Sequence, residues 1–262
     1  MAHTSLVAAL TAASVIVALE SAWLLNRIRP VKYLAWVTRK PASTVFEALY
    51  YLGFPYLALV SGLLPARLLG LKGLQSPALP DFTQPAPQVI NALLLQAGDV
   101  LHIWLPDIGP WVSTGSLLGG LFVAVVWLYV RGGGPRQDTS PFPIYESWAG
   151  VAFDVVHWGF YRAAVWLVSG SLYLGVVGGV AVMLFEQTVA GRLGRGTVPD
   201  TQRQLLRFGL GVVTSVTFLF APNLWLVFVL QAILAGLSRG VAALQHPSSL
   251  PAGQNATLTP PG

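Results

Sequence analysis

Asp154, His157, Tyr161 and Arg162 are the side chains of this sequence that come nearest to chemistry. Spaced i, i+3 and i+7, the first three share one face of a helix. A carboxylate and an imidazole one turn apart can serve as acid, base or metal ligands. All four lie in an apolar run at 146–168, where an ionised group costs at least about 2.5–3.5 kcal/mol if it faces lipid. Helical side chains lean toward the helix N-terminus, so Arg162 points back toward the middle of the run. The group is therefore expected to face the interior of a bundle and to find partners or water there. Asp154 and Arg162 are separated by about 12 Å of helical rise, too far for a close direct pair. A cluster that fixes packing and a ligand or catalytic site both stay open.

The elements that must position this group are themselves apolar. The 262 residues are 54% hydrophobic and 10% charged, with a mean hydropathy of +0.64. An ordinary soluble domain carries about 25% charged residues, so the composition points to an all-α integral membrane protein. Runs at 5–26, 43–65, 111–130, 146–168, 170–190, 205–221 and 223–243 predict a bundle of about seven spans within one domain, 1–245. The run at 205–221 is the marginal one. Residues 246–262, rich in Pro, Ser and Gly, read as a disordered tail.

Alternating from an outer N-terminus, the inner segments hold Arg27, Arg29, Lys32, Arg39, Lys40, Arg131, Arg136, Arg192, Arg195, Arg203, Arg207 and Arg239, twelve cations in all. The outer ones hold two, Arg67 and Lys72. This asymmetry predicts a plasma (inner) membrane protein with its N-terminus outside and its C-terminus cytoplasmic. The first run could also be a cleaved signal peptide, but its leader Met-Ala-His-Thr lacks the basic residues such a leader needs. The net charge of +5 is dispersed between apolar runs, so the bilayer is the expected partner and nucleic acid is not. There is no cysteine, which excludes disulfides, thiolate metal sites and cysteine nucleophiles.

Within the long gap at 66–110, Gln88, Asn91, Gln96, Asp99 and His102 gather on one side of a helical wheel. Val89, Ile90, Leu93, Leu94, Val100, Leu101 and Trp104 take the other. The pattern predicts an interfacial amphipathic helix at 86–104, with a re-entrant or irregular loop as the alternative. Pairs at four-residue spacing, Gly115/Gly119, Gly175/Gly179 and Gly236/Gly240, predict close helix contacts. Other polar residues have structural readings. Thr44 and Glu47 make a capping box, Glu146 sits in a first helical turn, and Asn223 is an N-cap. Glu20 and Glu186 lie near cytoplasmic ends, within reach of headgroups or arginines. The sequon at Asn255 would lie in the inner tail.

The stretch Phe208 to Ala235, with its Asn-Leu-Trp turn at 223–225, resembles the penultimate and final helices of the CPBP (Abi, CAAX prenyl endopeptidase) family of intramembrane metalloproteases. His157-Trp-Gly-Phe-Tyr-Arg162 is similar to the segment that carries Glu-Glu-x-x-x-Arg in that family. The resemblance covers roughly residues 146–243, with a weaker echo from Glu47 to Leu71. It implies a membrane bundle in which paired carboxylates activate water and histidines hold a metal. Here His157 and Trp158 stand at the carboxylate pair and Arg162 is kept. Gln231 and Ala235 stand at the last His-x-x-x-Asn, and Phe185 and Val189 at the intermediate Phe-x-x-x-His. Gln is a poor metal ligand beside imidazole, and Trp cannot act as a base.

The resemblance thus implies a catalytically inactive member, with Asp154, His157, Tyr161, Arg162, Glu186 and Gln231 as a candidate polar cleft. No cofactor is expected in such a binding or scaffold protein, whose partner would be another membrane protein or a lipid-linked peptide. The alternative is an active protease with displaced residues and zinc, using Asp154, His157 and Glu186. His3, His102 and His246 lie outside the spans and could not assist. A small transporter is a third reading, without a visible inverted repeat to support it.

Overall fold

The computed structural model describes residues 2–28, 40–73, 85–131, 148–193 and 198–245. Among them stand eight helices: α1 (Ala2–Ile28), α2 (Lys40–Val60), α3 (Ala66–Leu69), α4 (Ala86–Arg131), α5 (Trp148–Ser169), α6 (Leu172–Leu193), α7 (Val198–Phe220) and α8 (Leu224–Gln245). The expected tail, Glu146, and the side chains of Thr44 and Glu47 lie outside the described residues.

Most boundaries follow the apolar runs, and the departures have local causes. The run at 43–65 is longer than its helix, since α2 stops at Val60. Pro65 disfavours a helical residue before it, and Gly62 turns the chain with a φ of 71°. The Leu64 amide returns to the Ala58 carbonyl at 2.9 Å. Pro65 then leads into α3, which ends on Gly70 in the left-handed region at a φ of 76°.

The larger departure is α4. The amphipathic segment 86–104 and the run 111–130, expected as two elements, form one 46-residue helix that passes through Pro106 and Pro110. Each proline removes one backbone donor, but the chain does not break there. Asp107 is tied between them to Lys72 on the neighbouring segment. The whole helix is about 69 Å long at 1.5 Å per residue. In its first half the apolar Ile90, Leu94, Leu95 and Leu101 are exposed, and Gln88, Asn91, Asp99 and His102 are exposed too.

The centre of the bundle is α5, which packs against α1, α2, α3, α6 and α8. Its side chains from Val151 to Ala164 are nearly all buried, including Phe160, Tyr161 and Ala163 in the largest core cluster. The glycines of α6 make the closest approach. A Cβ on Gly179 would stand 2.7 Å from Arg162 Cγ, and one on Gly175 2.6 Å from Trp166 Cβ. Gly115 and Gly119 of α4 likewise face Leu230 and Leu234 of α8. The third pair behaves differently, because Gly240 meets nothing within 4 Å.

Among the described residues, three helices are long and apolar enough to cross a membrane: α4 over Ala86–Tyr129, α6 over Leu172–Val189 and α8 over Leu224–Val241. Shorter apolar stretches lie at Thr4–Glu20, Ala48–Val60 and Leu205–Phe220. The central α5 has the length, but Asp154, His157 and Arg162 lower its hydropathy.

Candidate functional site

Four helices place their polar side chains in one knot beside α5. His157 and Tyr161 are one turn apart on α5, with Nε2 and Oη 3.0 Å apart. From α6, Glu186 accepts the Tyr161 hydroxyl at Oε2 (2.6 Å) and the Tyr50 hydroxyl of α2 at Oε1 (3.0 Å). Tyr50 Oη also lies 3.0 Å from His157 Nε2 and 3.3 Å from Tyr161 Oη. Ser14 of α1 reaches Tyr161 Oη at 3.3 Å.

Counting protons gives one consistent assignment. Each tyrosine has a single hydroxyl proton, and both go to the carboxylate. Nε2 of His157 must then carry the proton that meets the tyrosine oxygens, and it stands 3.5 Å from Glu186 Oε2. Nδ1 has no hydrogen-bond partner among the described residues. The imidazole is also walled in by rings, with Tyr50, Tyr51 and Tyr161 centred 4.7, 5.0 and 4.6 Å away. Tyr51 in turn stacks on Phe153.

Asp154, one turn earlier on α5, is drawn to α7. Arg207 donates Nε to Oδ2 at 3.0 Å and Nη2 to Oδ1 at 2.5 Å, a bidentate pair. Arg162 meets α7 too, donating Nη1 to Ser215 Oγ at 3.1 Å and lying 4.4 Å over the Phe218 ring. Both bridges join residues 53 apart in sequence, so α5 and α7 run parallel and in register. Asp154 and Arg162, judged too distant to pair directly, are thus each met by a separate residue of α7.

A third polar group closes the end of the bundle where α3 meets α8. Lys72 Nζ sits 2.8 and 2.7 Å from the Asp107 carboxylate oxygens, and Asn223 Nδ2 reaches Asp107 Oδ2 at 3.5 Å. Asn223 Oδ1 accepts the Trp225 amide at 3.1 Å, the N-cap its position foretold. The Leu224 amide donates to the Gly70 carbonyl at 2.9 Å.

The sequence-derived residues therefore divide. Asp154, His157, Tyr161, Arg162 and Glu186 are all buried around α5, but in two groups and not in one open cleft. Glu186, read as reaching headgroups or arginines, turns inward to the tyrosines instead, because two phenol donors satisfy a carboxylate without leaving the protein. Gln231, Trp158 and Ala235 are buried in the helix packing. Phe185 is exposed on α6, so its side chain does not line the buried knot. Tyr50, Tyr51, Ser14, Arg207, Ser215, Lys72 and Asp107 were not singled out from sequence. The Tyr50-Tyr51 pair inside an apolar run was the available signal, since buried phenols require partners. Among the described residues no group of three His, Asp or Glu could hold a metal ion. The chain matches no family model, no curated protein and no solved structure.

Proposed function

We propose that this chain is a divergent, catalytically inactive relative of the CPBP intramembrane proteases, a bundle of about seven membrane spans that binds or scaffolds a membrane partner. What supports the bundle is an inside-out distribution of side chains. Asp154, His157, Arg162, Glu186 and Gln231 are buried, whereas Leu95 and Leu117 are each 73% exposed. Lipid satisfies that arrangement and water does not.

One observation carries the inactive reading: both carboxylate oxygens of Glu186 are taken by tyrosine hydroxyls. Each oxygen keeps a second lone pair, but a general base must also reach a water, and Glu186 is buried among the phenols and the imidazole. The buried acid of α5, Asp154, is equally committed, to Arg207. His157 and Trp158 stand where the family places its carboxylate pair, so the family's own route to activated water lacks its base. The remaining surfaces of the bundle suit another membrane protein or a lipid-linked peptide.

The active-protease reading draws on the proximity of His157 to Glu186 and on the free Nδ1 of the imidazole. The two readings part on one experiment: zinc content of chelator-washed, purified protein, together with cleavage of a prenylated or membrane-peptide substrate. Sub-stoichiometric zinc and no cleavage are expected. Tightly bound zinc with cleavage abolished by His157→Ala would overturn the inactive reading.

A further inference from the structure

The carboxylates of Glu186, Asp154 and Asp107 are each held by donors of the bundle, to the tyrosines, Arg207 and Lys72 respectively. Among the described residues, Arg162 has no such charged complement. Its side chain is 2% exposed, and Nη1 alone is hydrogen-bonded, to Ser215. Nε and Nη2 have no hydrogen-bond partner among the described residues. These two nitrogens form one edge of the planar guanidinium, and their parallel N–H groups match two oxygens of a single oxyanion.

The surroundings of that edge are shaped by the absence of a side chain. A Cβ on Gly159 would lie 3.7 Å from Nη2, 3.0 Å from Leu224 Cδ1 and 3.9 Å from Leu69 Cδ2. Glycine lets the movable ends of the two leucines close over the edge, so that a ligand would enter by displacing them. Those leucines belong to the last turn of α3 and the first residue of α8, where the bundle ends. Arg162 lies about 10 Å of helical rise from the end of α5 at Ser169, a depth that a headgroup can reach from the interface.

We propose that Arg162 anchors a phosphate site in the bundle, gripping a phosphate group through its Nε–Nη2 edge beneath Leu69 and Leu224. The inference rests on the reading of the chain as a membrane bundle and names a ligand class for it. Two sources supply the same chemistry, a phospholipid headgroup and free phosphate.

The test is thermal unfolding of the delipidated full-length protein in a neutral maltoside detergent. Dihexanoyl phosphatidic acid, inorganic phosphate and sodium chloride are titrated at matched ionic strength. A saturable rise in Tm of several degrees is expected with a phosphate compound and not with chloride. The lipid arm against the inorganic arm identifies the source. Arg162→Lys, which keeps the charge but loses the fork, should weaken the apparent affinity by about tenfold, and Arg162→Gln should abolish the rise. Gly159→Ala, which sets a methyl beside the edge, should also weaken it and serves if Arg162→Gln fails to fold. No rise with either phosphate compound, an equal rise with chloride, or an undiminished rise in these variants overturns the site. Topology reporters test the bundle reading separately, so correct topology without a phosphate effect sinks this inference alone.

Discussion

Tyr161 on α5 and Glu186 on α6 are joined by a 2.6 Å hydrogen bond from hydroxyl to carboxylate. This is the shortest link of the knot, and it is charge-assisted. Tyr161→Phe removes the donor, keeps the ring, and is expected to destabilise the protein by roughly 1.5–3 kcal/mol. Tyr50→Phe should have a smaller effect, because its bond is longer at 3.0 Å. The two losses should not add, since both phenols serve one carboxylate. Unfolding of the purified single and double variants in detergent measures this, and simple additivity would argue against a shared knot.

Asp154 is 1% exposed and depends on Arg207 for its charge partner. Arg207→Ala should cost about 3 kcal/mol, the low end for a broken buried pair, because the arginine is 31% exposed. Replacing both residues by leucine should recover much of that loss. A double variant no more stable than Arg207→Ala would contradict this account.

Gly179 and Gly240 should respond in opposite directions. Alanine at Gly179 places a methyl 2.8 Å from the Arg162 Cα and amide nitrogen, so the helices must part, at about 1–3 kcal/mol. Alanine at Gly240 meets nothing within 4 Å and should gain up to about 1 kcal/mol of helix propensity. Comparing the two midpoints checks the α5–α6 contact directly.

Reporter fusions at residues 35, 138, 200 and 250 should all read cytoplasmic, following the inner cations from Arg27 to Arg239. An outer signal at any one of them would reject the seven-span arrangement.

Apolar length located most helices, and the mid-helix position of Asp154, His157, Tyr161 and Arg162 announced that α5 would be enclosed. The partners were less legible. Arg207 counts in sequence as one more inner cation, and nothing local tells that its side chain turns back onto α5. Tyr50 signals only that a phenol within an apolar run needs a partner, not that the partner is Glu186. The continuity of α4 was hidden because Pro106 and Pro110 read as a break, while the tie between Asp107 and Lys72 is a tertiary contact. Likewise Gly236/Gly240 has the same spacing as the two packing pairs, and only the neighbours distinguish them.

The equal offset of the two α5–α7 bridges limits how these helices can move. Sliding α7 by one turn, about 5.4 Å, would carry Arg207 off Asp154 and Ser215 off Arg162 in the same stroke. Rotation about either bridge disturbs only the other. One bridge can therefore open while the other holds, with α7 still seated on α4, α6 and α8. Any rearrangement that opens the space between α5 and α7 should begin at one end and spread like a zip.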